Sequence, residues 1–310
     1  MLNAVAFLLL IALAAAFIFP VAVVAVNSFK SKFSIAASPF TIPMGAEFAG
    51  FSNYTTGIET TGFPVAFGWS LFITVASIAL ITVCTSMCAW YIVRVKGVFS
   101  SLFYYALVFS MIVPFQMVMF TMSKTANVLS LDNPIGLVFI YLGFGAGLSV
   151  FMYSGFIKTV PLGIEEAATI DGCSPLGTFW RVVFPILKPT AITVAILNTM
   201  WIWNDYLLPY LVIGRDYKTI PIAVQYLKGG YGSVDMGALM AMLVLSVIPV
   251  IIFYLSMQKY IIKGVAAGAV KGERYKISER ERNTSSYHLA AVPLRYRLIR
   301  HCGLQICRFS

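Results

Sequence analysis

The sequence predicts an all-α integral membrane protein with six transmembrane helices, and three observations carry that prediction. Of its 310 residues, 59% are hydrophobic and 11% are charged, whereas a soluble domain carries about 25% charged residues to cover its surface. Six apolar runs reach the roughly 20 residues that a helix needs to cross the hydrocarbon layer. No Lys or Arg stands at the centre of any run, and outside the C-terminal tail the basic residues sit singly between runs, as membrane-flanking charges do.

The first run, residues 4–26 ("AVAFLLLIALAAAFIFPVAVVAV"), is longer than a signal-peptide core and has no basic residue before it, so it reads as a retained span. The second, 67–93, ends in "CAWYIV" and belongs to an apolar stretch, 65–93, long enough to tilt or to extend past the bilayer. The third is 99–122, the fourth 135–157, the fifth 190–213 and the sixth 237–262. Glycines in "GFGAGLSV" (143–150) lie inside an apolar run, where small residues serve helix packing. Residues 94–98, 158–189 and 259–272 then fall on one side with eight Lys/Arg, against six in 27–66, 123–134 and 214–236 on the other. The excess assigns the first group to the cytoplasm. The outer segment 28–66 is polar, rich in Ser, Thr, Gly and Pro, and lacks strong periodicity.

Several function classes drop out on composition. The net charge of +10 does not mark nucleic-acid binding, because residues 273–310 alone hold eight Lys/Arg against three Glu. Cys84 and Cys88 lie four apart on one helix face as small core residues, and "HCGLQIC" (301–307) lacks the paired spacing of zinc ligands. No G-x-x-x-x-G-K-[ST] or strand-associated G-x-G-x-x-G is present, and the two histidines, His288 and His301, lie in the tail. The chain is therefore predicted to have no catalytic residues, no metal site and no bound cofactor.

One stretch breaks the apolar pattern. "EEAATIDGCSPLGTFWRVVFPILKP" (165–189) holds three of the twelve carboxylates, in a loop far longer than a compact six-span protein needs. Ile164–Ile170 reads as a short helix, with Ile164, Ala167, Ala168 and Asp171 at spacings of three and four. Asp171-Gly172 ends it, Ser174 caps a second helix with Pro175 at its first position, and Pro185 and Pro189 end that helix at the next span. Leu176, Phe179, Val183 and Phe184 supply the second helix's apolar face. The prediction is a helix-turn-helix block on the cytoplasmic face. Taken alone, the residues also suit a plain surface connector.

The block closely resembles the EAA loop of ABC importer permeases, on Glu166, Ala167, Ala168, Gly172 and Pro185. "PLGIEEAATIDG", Phe179 and Pro189 are similar to the carbohydrate-uptake, maltose-type (MalG-like) branch, with Cys173 standing where that branch usually has Ala. "AWYIVRVKG", "VPFQMVMF", "FIKTVP", "WIWNDYLLPY" and "QKYIIKGVAAGAVKG" resemble the same branch, so the similarity covers residues 5–272. The resemblance implies the type I importer permease fold, with residues 1–66 forming the first span and outer loop and 67–272 the permease core. It also implies that the EAA loop, 159–189, docks in a cytosolic ATPase. Glu165, Glu166, Ala167, Ala168, Asp171, Gly172, Phe179 and Pro185 are the residues so implicated. A small Ala-Ala face would enter a cleft, Glu166 would meet a basic group, and Gly172 would keep the two helices in one rigid block.

The same resemblance implies a bacterial plasma-membrane assembly of this permease, a second homologous permease, two ATPase subunits carrying ATP and Mg, and an extracellular or periplasmic solute-binding protein. The solute it implies is a sugar, with an oligosaccharide preferred; glycerol-phosphate or another small polar solute shares much of the pattern. Gln116, Asn198, Trp201 and Asn204 are candidate solute-path residues, since sugars are held by aromatic faces and amides. An interfacial aromatic belt and helix–helix hydrogen bonds account for the same residues. An ion-coupled secondary transporter is the rival class. It calls for ionisable groups at mid-membrane, for which only Asp205 comes near, and it leaves the EAA block unexplained. Residues 273–310 have no counterpart in the family pattern and read as a poorly ordered or non-native basic tail, with contact to anionic lipid the alternative.

Overall fold

The structure, a computed structural model, describes residues 2–214, 216–227 and 235–260. Helix α1 (Leu2–Asn27) leads into a connecting segment containing α2 (Lys32–Ala37), a 3-10 turn at Gly45–Glu47 and α3 (Ser52–Thr61). There follow α4 (Phe63–Arg94), α5 (Val98–Ser110), α6 (Phe115–Val128), α7 (Pro134–Ile157), α8 (Gly163–Ile170) and α9 (Pro175–Thr178). A π-helical turn, Phe179–Val183, joins α9 to α10 (Phe184–Asn204), and α11 (Leu207–Val212), α12 (Ile220–Tyr226) and α13 (Met236–Tyr260) complete the described chain. Five helical stretches are long and apolar enough to cross a membrane, and α5 with α6 makes a sixth if that bent pair is one span. Helices suit this environment because their backbone N–H and C=O groups are satisfied within the segment.

Two of the predicted spans take a different form. The run 99–122 is not one straight helix: α5 and α6 meet at a bend of 106°. Pro114 lies at the break with an extended ψ of 135°, offers no N–H, and disfavours helical geometry at the residue before it. The fifth run begins earlier and stops sooner than 190–213. It is helical without interruption from Pro175 to Asn204, so Pro185 and Pro189 do not end the second arm of the loop. The π turn explains why. The Phe184 N–H bonds back to Phe179 O, five residues earlier, and this wider turn eases the clash that Pro185 would otherwise make with the preceding turn.

The segment between α1 and α4 is also more ordered than its irregular sequence implies. Lys30 is buried, its Nζ donating to Ser38 O at 2.6 Å and to Thr41 Oγ1 at 3.2 Å. The Asn53 amide donates to Ser28 O and Lys30 O, both at 2.8 Å. These links, three to backbone carbonyls and one to a side-chain hydroxyl, join residues 8 to 25 positions apart and leave no periodic trace.

The core lies where α4, α7 and α10 meet, around Ile81, Leu137, Tyr141, Val150, Tyr153 and Leu187. Helix α7 packs against α4 more extensively than any other pair. Its glycines divide as the neighbouring helices require. A Cβ on Gly145 would lie 2.7 Å from Ile81 Cδ1 and 2.9 Å from Asn198 Oδ1, and one on Gly147 would lie 2.6 Å from the Leu107 carbonyl oxygen, whereas Gly143 faces open space. By contrast, residues 4–22 of α1 are exposed all round, as a helix bathed in hydrocarbon tolerates. Gly147→Ala is therefore expected to destabilise the protein by about 1–3 kcal/mol, because the obstacle is backbone. Gly143→Ala should be neutral or slightly stabilising; thermal unfolding of the detergent-solubilised variants compares the two.

Candidate coupling site

The polar stretch between α7 and α10 folds into two short arms joined by a tight turn. Glu165 and Glu166 lie in the first turn of α8, where the positive end of the helix dipole favours carboxylates. Three backbone bonds close the helix: Asp171 N–H to Ala167 O, Gly172 N–H to Thr169 O and Cys173 N–H to Ala168 O, at 2.9, 3.0 and 3.0 Å. Gly172 has φ of +83°, the left-handed residue that such a helix ending requires and that glycine adopts without strain. Ser174 then caps α9, its Oγ accepting from Gly177 N at 3.2 Å, with Pro175 following.

The block has an inner and an outer face. Glu165, Ala168, Thr178 and Phe179 are buried, whereas Glu166, Ala167, Ile170, Asp171, Gly172, Leu176 and Pro185 are exposed. The two alanines thus point opposite ways. Ala168 packs inward and only Ala167 is free, so they do not form the joint small face expected of them. Leu176 also departs from the predicted apolar face, since it is 60% exposed. Between the arms lies a groove of about 600 Å³ bordered by Glu166, Thr169, Ile170, Cys173 and Pro175. Ile170 is 85% exposed beside it.

The two neighbouring glutamates part just as sharply. Glu165 is 7% exposed and is turned into its own chain. Its Oε1 accepts from Arg94 Nη2 at 2.7 Å and Arg94 Nε at 2.9 Å, and its Oε2 accepts from Trp90 Nε1 at 2.9 Å. Arg94 Nη2 also donates to Val160 O at 3.1 Å. This is the one ion pair among the described residues. A residue so engaged is unavailable for an outward contact, so Glu165 differs from Glu166 in what it can do. Phe179 is wholly buried, with ring centroids 5.6 Å from Trp90 and 5.8 Å from Phe184. Trp90 and Arg94 lie in "AWYIVRVKG", which carries part of the family resemblance, but the sequence assigns neither a role at the site. Their spacing, an indole and a cation four apart at the end of an apolar run, was the available signal.

The proposed solute-path residues are not gathered into one site. Asn198 is 4% exposed, its amide donating to Val194 O at 2.8 Å and Ser149 Oγ at 3.3 Å. One of these bonds stays within α10 and the other reaches α7, so the Asn198 amide group helps hold the two helices together. Gln116 is exposed at the start of α6, beyond the Pro114 break. Trp201 is partly exposed and meets Tyr141 edge-on at 5.4 Å. Asn204, with Trp203, Tyr206, Gln225 and Ser246, borders a cavity of about 510 Å³. Asp205 lies just past α10. Its Oδ1 accepts from Leu207 N and Leu208 N at 3.0 and 3.4 Å and its Oδ2 accepts from Tyr141 OH at 3.1 Å, so it starts α11. Among the described residues, no three His, Cys, Asp or Glu side chains are grouped as a metal site would need.

Comparison with known proteins agrees with this architecture. The profile of the family described as "Binding-protein-dependent transport system inner membrane component" matches residues 81–267. The chain is 39% identical over 263 residues to the "Probable starch degradation products transport system permease protein AmyC" of Thermoanaerobacterium thermosulfurigenes, covering 84% of this chain and 94% of that one. It is 31% identical over 229 residues to the "Melibiose/raffinose/stachyose import permease protein MelC" of Bacillus subtilis (strain 168), covering 72% and 81%. A solved structure, "Crystal structure of a bacterial ABC transporter involved in the import of the acidic polysaccharide alginate", superposes with a TM-score of 0.70 at 23% identity. That match covers 84% of this chain and 96% of the other, and it establishes the shared fold. With a family match over more than half its length and a relative aligned along nearly the whole of its own, this multi-pass chain belongs to the inner membrane components of binding-protein-dependent transport systems, and so to the transporters rather than the enzymes.

Proposed function

We propose that this chain is a sugar-carrying permease of an ATP-driven importer in a bacterial plasma membrane, and that the block formed by α8 and α9 seats in a cytosolic ATPase subunit. The observation that carries the reading is the two-faced block. Its inner side is anchored by Glu165 and Phe179, while its outer side leaves Glu166, Ala167, Ile170 and Asp171 uncovered. A short helix pair built only to connect two spans has no need to keep an apolar Ile and two carboxylates facing outward. Such a face suits a cleft that offers an apolar wall and a basic group. The second arm continues without a break into α10, so displacement of the block would be displacement of a span.

The sugar assignment is supported by relatives named for starch degradation products and for melibiose, raffinose and stachyose, and an oligosaccharide is the preferred solute. In this reading the chain works with a second homologous permease, two ATPases that bind ATP and Mg, and a solute-binding protein outside. Trp201 and the cavity beside Asn204 are the candidate solute contacts on the outer side, with Gln116 at the break between α5 and α6. Residues 273–310 lie outside the described chain and take no part in the proposal.

Three outcomes are expected. In vesicles given ATP with all ion gradients collapsed, uptake should continue; its loss would favour an ion-coupled carrier. Glu166→Lys should leave the protein inserted but lower solute-stimulated ATPase activity roughly tenfold or more, as reversal of a charge-assisted contact would. Gly172→Ala should destabilise the block by about 1–2 kcal/mol through its left-handed backbone alone, since a Cβ there meets nothing within 4 Å. Gly172→Asn should cost less; comparing uptake and thermal unfolding of the two variants separates backbone strain from loss of docking.

A further inference from the structure

The outward face explains how the block could receive force, and α10 accounts for one route by which force would leave it. A second route is visible on the inner face. Trp90 and Arg94, one turn apart at the end of α4, touch both arms. The Trp90 indole N–H donates to Glu165 on the first arm, and its ring lies 5.6 Å from Phe179 on the second. Arg94 grips Glu165 with two nitrogens and reaches Val160, in the turn between α7 and α8. These residues are 71 and 75 positions from Glu165 in sequence, so no chain continuity holds α4 to the block.

We infer that Trp90, Arg94 and Glu165 form a clamp that makes the coupling block and the inner end of α4 move as one body, passing motion to α4 as well as to α10. The inference rests on the reading of the block as the ATPase-docking element. Two observations argue for a clamp that stays closed. Glu165 is buried with three donors on its two oxygens, and separating it from Arg94 would strand a charge away from water. The helix it holds is the one against which α7 packs most extensively, so motion of α4 reaches the centre of the core. Trp90, Arg94 and Glu165 act here as positioning residues; none needs to touch solute or nucleotide.

The test uses the full complex with its ATPase and solute-binding subunits in proteoliposomes, and reads solute carried per ATP hydrolysed. Three variants each remove one part of the clamp. Trp90→Phe keeps the ring against Phe179 and loses the N–H, Glu165→Gln keeps an acceptor and loses the charge, and Arg94→Lys keeps the charge and loses the fork. In complexes that retain the ATPase, solute carried per ATP hydrolysed should fall about fivefold, within the range expected for residues that carry coupling. A ratio unchanged in all three variants would overturn the clamp. A second arm guards against variants that fail to assemble. In a chain whose five native cysteines are replaced, Arg94→Cys with Glu165→Cys is bridged by a bis-methanethiosulfonate reagent. Bridging should restore the ratio, because a covalent tie replaces the ionic one; a bridged complex that assembles without transporting would show that the contact must open, and would overturn the inference. Wild-type uptake that proceeds without ATP would instead overturn the ATP-driven reading on which the clamp depends.

Discussion

Hydrocarbon offers no hydrogen bonds, and this single constraint orders the whole chain. A backbone polar group left unpaired there costs several kcal/mol, so each crossing segment becomes a helix and regular structure ends only where something else satisfies the freed groups. The described chain is helical through nearly all its apolar length. Where helix regularity fails, a particular residue takes over: Pro114 at the sharp bend, the π turn ahead of Pro185, and Asp205 between α10 and α11.

Those interruptions divide the chain into parts that can act differently. The π turn lets one helix continue from the second, exposed arm into the span despite two prolines, so that arm and α10 are one uninterrupted helix. Asp205 does the opposite, ending α10 and redirecting the chain into a short helix. The bend at Pro114 leaves α5 and α6 at a steep angle, with Gln116 just beyond it. Helices α4, α7 and α10 form the packed centre, and the interruptions lie next to the residues argued to handle solute or partner.

Charge is spent with equal economy. Glu165 and Glu166 are chemically identical neighbours, yet one is engaged by Arg94 and Trp90 and the other faces outward. A helix turns by about 100° per residue, so one of two adjacent positions can be buried while the next is exposed. Adjacent identical residues can thus anchor a helix and present it at once. The two alanines that follow divide in the same manner, Ala167 outward and Ala168 inward.

By itself the sequence determined the properties that depend on composition and local pattern. Long apolar runs could only be membrane helices, and Gly172, Ser174 and Pro175 announced the turn and caps of the coupling block because each acts through its own backbone or nearest neighbours. The resemblance to importer permeases followed from the same local motifs in register. What tertiary structure alone decided were matters of distance and direction. It decided that Glu165 rather than Glu166 is buried, that Trp90 and Arg94 reach it across more than seventy residues, and that Asn198 serves helix packing. It also fused the second arm to α10 and gave the irregular segment between α1 and α4 its order around Lys30 and Asn53. Hydrophobic period and cap chemistry are written within a few residues of one another, whereas a buried ion pair depends on where two distant helices come to rest.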